Sequence, residues 1–172
     1  MDLAAEAGLR VRELREARGM SLSELARRSG VGKGTLSELE SGRRNPTLET
    51  LYALTTALKV PLSTALQGLP SPAEISGEAV DAVLVERFEA DDSVTETYRI
   101  RIRSGATQES AAHSPGTTEH LVVLAGIARV GGLGDPVLIG PGQHGSWAAD
   151  VPHVYQASEG AVEALLIVRH PR

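Results

Sequence analysis

The sequence predicts an α+β chain of two domains. Residues 1–67 form an all-α bundle of five helices, residues 68–78 a linker, and residues 79–172 an all-β sandwich or barrel. Three observations carry this. The first 67 residues place their apolar side chains at helical spacing. Gly68-Leu-Pro-Ser-Pro-Ala-Glu-Ile-Ser-Gly77 brings two prolines, two glycines and two serines together, as linkers do. Beyond it the period becomes two, short apolar runs are punctuated by glycine and proline, and no helical pattern follows residue 70.

The first helix runs to about Gly19, where Leu9, Leu14 and Ala17 mix with Arg12, Glu13 and Glu16. Ser21 can cap a second helix, with Glu24 three residues on as in a capping box. Leu22, Leu25 and Ala26 share a face, and Gly30 stops the helix where a left-handed residue is needed. Val31, Leu36 and Leu39 form the buried stripe of a third helix, which leaves Lys33, Gly34, Ser37, Glu38 and Ser41 facing outward. Gly42 ends it, and Arg43, Arg44 and Asn45 follow. Pro46 and Thr47 open a fourth helix with Leu48, Leu51, Leu54, Ala57 and Leu58 on one side. Val60-Pro61 breaks it, and one short helical turn reaches Leu66. Two helices joined by a glycine turn can place the second in the major groove of DNA, and a small polar face beside a basic loop suits a groove lined by phosphates.

In the second half Val83 and Val85 begin an extended run. Val94, Glu96, Tyr98, Ile100 and Ile102 then alternate with Thr95, Thr97, Arg99, Arg101 and Arg103. Further short strands are expected at Leu121–Leu124, Val137–Ile139 and Leu165–Val168.

Composition narrows the function classes. The absence of cysteine excludes disulfides and thiolate metal sites. No apolar run approaches membrane length and no signal pattern opens the chain, so a cytoplasmic protein without membrane contact is expected. The formal net charge of −5 argues at first against nucleic acid. Residues 1–67 hold ten Lys/Arg and eight Asp/Glu, however, and residues 68–172 hold seven and fourteen, so the halves carry +2 and −7. Arg27, Arg28, Lys33, Arg43 and Arg44 cluster about the two-helix unit, which makes the first half the nucleic-acid face. Arg27 and Arg28 read equally as phosphate contacts or as a solvated surface.

Residues 8–67 resemble the XRE, or lambda-repressor-like, helix-turn-helix family. Leu25-Ala26, Gly30-Val31, Thr35-Leu36-Ser37, Leu39-Glu40-Ser41-Gly42 and Asn45-Pro46-Thr47-Leu48 carry the resemblance. It implies base contacts from Lys33, Gly34, Ser37 and Glu38 and phosphate contacts near Ser41, Arg43 and Asn45, so the expected DNA-binding set also takes in Thr35 and Arg44. It also implies a structural pair of Arg15 with Glu40. Gly32 departs from the family's Ser or Thr and loses a capping hydroxyl.

Residues 79–170 resemble the cupins, small double-stranded β-barrels or jelly rolls. His113-Ser-Pro-Gly-Thr-Thr-Glu119, followed by Leu121-Val-Val-Leu-Ala-Gly126, matches the first cupin motif, with Pro115 where a second histidine would stand. Gly140-Pro-Gly142 leading to Asp150-Val-Pro-His153 matches the second. The resemblance implies a pocket of His113, Glu119 and His153. Trp147 and Tyr155 flank the second motif; a lone Trp reads as core, or beside His153 as the wall of a ligand pocket. Two histidines and a carboxylate can hold a first-row divalent ion (Fe, Zn, Ni or Mn). With one ligand position lost, a pocket without cofactor is the expectation and the ion is the alternative. His120 should face away from Glu119, His144 should be exposed or a pocket-wall residue, and His170 is read as inert. The arginine ladder is read as a solvated face; the alternative is an anion held by one of the three inside the barrel.

The combined order is similar to a group of bacterial transcription regulators. It implies a homodimer that binds an operator through the helix near Lys33, with a barrel that pairs the subunits or binds a small-molecule effector, and no catalysis. The alternative is a metal-dependent cupin oxygenase or epoxidase with a helix-turn-helix front.

Overall fold

The computed structural model describes residues 3–66 and 74–172, which fall into two compact units that part between residues 66 and 74. The first holds α1 (Leu3–Ala17), α2 (Leu22–Ser29), α3 (Lys33–Glu40), α4 (Leu48–Leu58) and α5 (Leu62–Leu66). Capping sets their ends. The Glu24 N–H donates to Ser21 Oγ at 3.1 Å, and the Thr50 N–H to Thr47 Oγ1 at 3.3 Å. Gly30 closes α2 with φ of 72°, a conformation that penalises any residue with a Cβ. Gly32 opens α3 with no side-chain cap, as its missing hydroxyl requires. Val31 lies in the turn before α3 and is only half-buried, so the helix's stripe is Leu36 and Leu39 alone.

Leu25, Leu36, Leu39, Leu51, Leu54, Leu58 and Leu62 are all sealed from solvent and form one core with Val11. α1 lies so close to α3 that a Cβ on Gly8 would stand 2.1 Å from the Leu39 carbonyl oxygen. No side chain fits there.

The second unit has ten strands: β1 (Glu74–Ser76), β2 (Val80–Glu89), β3 (Ser93–Ile102), β4 (Thr107–Ser110), β5 (Thr118–Ala125), β6 (Ala128–Gly132), β7 (Val137–Ile139), β8 (His144–Ala148), β9 (His153–Gln156) and β10 (Val162–Pro171). They pair into a six-stranded sheet in the order β1-β2-β3-β10-β5-β8 and a four-stranded sheet β4-β9-β6-β7, every pairing antiparallel. This is the expected double-stranded barrel. Tyr98, Ile100, Ile102, Leu121, Val123 and Leu166 fill the space between the sheets.

The linker assigned to 68–78 is too long at its end: Glu74–Ser76 is a strand paired to β2 with Ile75 buried, because three residues with one inward apolar side chain suffice for an edge strand. Residues 67–73 of that stretch lie outside the described residues. The arginine ladder does alternate, but its side chains stand on the outer face of β3, so the alternative of an anion held inside the barrel is withdrawn. Arg103 binds Asp81, and Arg101 lies 3.7 Å from Glu163. Among the described residues, no helix is long and apolar enough to cross a membrane.

The Gly8 approach sets a test. Gly8→Ala forces a methyl group onto the Leu39 backbone, and overpacking of that kind costs about 1–3 kcal/mol. Thermal denaturation should show a clear fall in midpoint; an unchanged midpoint refutes the close packing of α1 on α3.

Candidate nucleic-acid interface and barrel pocket

α3 is held from behind by a buried ion pair. Arg15 donates from Nε to Glu40 Oε1 and from NH2 to Glu40 Oε2, both at 2.7 Å, and from NH1 to the Met20 carbonyl at 2.8 Å. The two side chains are 11% and 6% exposed, so the pair lies out of water. The hydrogen bond to Glu40 raises the Arg15 pKa above its ordinary value, against the opposing effect of burial. A charge so occupied is not available to DNA.

The outer face of α3 is open. Lys33, Gly34 and Glu38 are exposed, and Thr35 and Ser37 are half-buried. Ser41, Arg43, Arg44 and Asn45 are exposed beyond it. Not all of these groups are equally available. The Ser41 hydroxyl donates back to the carbonyls of Ser37 and Glu38, at 2.8 and 3.0 Å. Arg44 lies 3.6 Å from Glu38, which shares its charge. Arg27 and Arg28 both bind Glu24, at 2.9 and 2.6 Å. Lys33 and Arg43 have no ionic partner among the described residues.

In the barrel, His113, Glu119 and His153 come from three separate stretches and converge. Their ligand atoms all lie within 4.8 Å of one another. Glu119 points inward from β5, opposite Trp147 on β8. His153 and Tyr155 reach it from β9 of the other sheet. His113 sits on the loop after β4, tied to the Ala149 carbonyl through its backbone N–H. His113 Nε2 is 3.0 Å from Glu119 Oε1, His153 Nε2 is 3.4 Å from Oε2, and the Tyr155 hydroxyl donates to Oε2. Burial pushes the Glu119 carboxyl up, but the His113 hydrogen bond, the charges of the two histidines and the tyrosine hydroxyl together hold it below the usual carboxylate range.

The protonation of His153 follows from its neighbours. Its Nδ1 lies 2.9 Å from the Val151 carbonyl, which can only accept, so Nδ1 carries the proton. In its neutral form the ring then turns a bare Nε2 lone pair toward a carboxylate. That nitrogen is buried and makes no hydrogen bond. A positive group between the two relieves the clash, and a histidine fixed through its far nitrogen by a carbonyl is the arrangement that metal-ligating histidines adopt. The three side chains therefore fit a divalent ion. Trp147 and Tyr155 wall the cluster, their rings 5.9 Å apart.

His120 faces the outer surface, as its place after Glu119 requires, and meets His144 at 3.3 Å. His170 is not inert: Nε2 lies 3.5 Å from the fully buried Glu96, which also accepts from the Tyr98 hydroxyl at 2.6 Å. Inward alternation on β3 was the one signal that could have placed Glu96 there.

A helix-turn-helix family model matches residues 11–64. The chain is 33% identical to the HTH-type transcriptional regulator SutR of Escherichia coli over 166 residues, 94% of this chain and 93% of that protein. It is similar in structure to an HTH_3 family transcriptional regulator from Vibrio cholerae, with TM-score 0.86 and 27% identity over 99% of this chain and 97% of the other. The cupin domain of an XRE family regulator from Enterobacter cloacae aligns to 55% of this chain and 99% of its own, at 26% identity and TM-score 0.48.

Arg15→Ala should destabilise the fold by about 3–5 kcal/mol, because Glu40 is left buried and uncompensated. Replacing both partners, as Arg15→Met with Glu40→Leu, should recover most of that loss in urea denaturation. Equal loss in the single and double variants contradicts the pairing.

Proposed function

The chain belongs to the XRE-type helix-turn-helix transcriptional regulators, and from that premise we propose that it binds an operator as a homodimer through α3 and tunes that binding with a small molecule held in its cupin barrel. The support for DNA binding is the pairing of an anchored helix with an open polar face and the adjoining unneutralised Arg43. Lys33, Gly34, Thr35, Ser37 and Glu38 meet base edges; Ser41, Arg43, Arg44 and Asn45 meet phosphates. The Ser41 hydroxyl reaches a phosphate by turning its proton away from the Ser37 and Glu38 carbonyls. Arg44 is the weaker phosphate ligand, since Glu38 shares its charge. Two copies present two such helices about 34 Å apart, one turn of duplex.

The barrel acts as a sensor rather than a catalyst, in keeping with relatives named as regulators. His113, Glu119 and His153 hold one first-row divalent ion (Fe, Zn, Ni or Mn), which supplies a positive anchor for a ligand. Tyr155 orients the carboxylate. An effector changes DNA binding only so far as it binds the competent and incompetent arrangements unequally.

Two experiments test this. Genomic fragments recovered on the purified protein define the operator, and fluorescence anisotropy then measures variants on it. Ser37→Ala should cost about 1–3 kcal/mol on the operator and little on random duplex. Arg43→Ala should weaken both alike and lower the salt slope by about one. Failure to retain any duplex at low salt refutes the function. For the barrel, titration with Zn²⁺ or Ni²⁺ should give one site, with affinity reduced about 10–100-fold or more by His153→Ala. Binding that survives that substitution unchanged refutes the ion site.

A further inference from the structure

The pocket holds a second unsatisfied buried group besides His153 Nε2. The indole nitrogen of Trp147 is shut off from solvent and has no hydrogen-bond partner, although the ring itself is half-buried. An indole N–H can only donate, and leaving a buried donor unmade is costly. Trp147 lies across from Glu119 in the β5–β8 pairing, and its ring stands 6.4 Å from that of His153.

Charge narrows what completes the site. A divalent ion on one carboxylate and two neutral imidazoles leaves one net positive charge. The three side chains around it are at most 4% exposed. A buried net charge is strongly disfavoured unless a counter-charge joins it. The missing partner is therefore a single negative charge carrying a free acceptor.

We propose that Trp147 is the effector-selecting donor of the barrel: its indole N–H receives one oxygen of a small monocarboxylate whose charge balances the ion on His113, Glu119 and His153. This rests on the ion site proposed above and adds the chemical class of the effector. Tyr155 is not the donor, because its hydroxyl is already given to Glu119. The arginine ladder is not, because it lies on the outer face of β3.

Trp147 is the chain's single tryptophan, so its N–H gives one resonance. The full chain loaded with Zn²⁺ is titrated with acetate and with pyruvate, with chloride as control, and followed by NMR and calorimetry. Expected is saturable binding of at least one carboxylate with a downfield shift of the indole proton, absent with chloride and absent without zinc. Trp147→Phe should keep zinc affinity within about threefold and lower carboxylate affinity about ten- to hundredfold, the worth of one hydrogen bond to a charged group. A static indole resonance on carboxylate binding, an equal response to chloride, or an unchanged carboxylate affinity in Trp147→Phe overturns the assignment. So does zinc loading without carboxylate binding, which leaves the ion site standing. A chain that takes up no zinc overturns both. The NMR readout on the unsubstituted chain decides the matter even if the variant folds poorly.

Discussion

A carboxylate removed from water must be met by positive charge or by donors, and both units are organised by that constraint. In the helical unit Glu40 is met by Arg15, whose planar fork fits both oxygens at once. The pair sets how α3 lies on α1, while Gly8 sets how closely. In the barrel Glu119 gathers His113, His153 and Tyr155 from two sheets. A third buried acid, Glu96, is met by Tyr98 and faces His170. Substituting these acids changes the positions of their neighbours as well as the local charge.

The two units use this device to opposite ends. Glu40 is fully answered by its own chain, so α3 becomes a rigid rod with its outer face left for a partner. Glu119 is answered less completely, because the neutral form of His153 spends its proton on Val151 and turns a bare nitrogen inward. Saturation suits a recognition element, whose shape must not vary. An unfilled valence suits the sensor proposed for the barrel, whose occupancy must.

Much of this was legible in the residues themselves. Ser21, Gly30 and Thr47 announce helix ends because capping is local chemistry. His113, Glu119 and His153 were identified by motif, and folding does bring them together. What stayed hidden depends on partners distant along the chain. Nothing near Gly8 reports that a backbone carbonyl of α3 will press on it. Ile75 sits among prolines and glycines, and one inward side chain is too short a pattern to read as a strand. His170 looked like a tail residue because Glu96, its neighbour in space, lies on another strand. The tautomer of His153 depends on the Val151 carbonyl, and a carbonyl carries no sequence signature.

The place of β10 has a consequence for how the protein is made. It is central in the six-stranded sheet, hydrogen-bonded to β3 on one side and β5 on the other, and every other strand precedes it in the chain. The barrel cannot close until that segment has left the ribosome, whereas the helices, with their short-range contacts, can assemble as soon as they emerge. During synthesis the helical unit is therefore complete before the barrel that follows it.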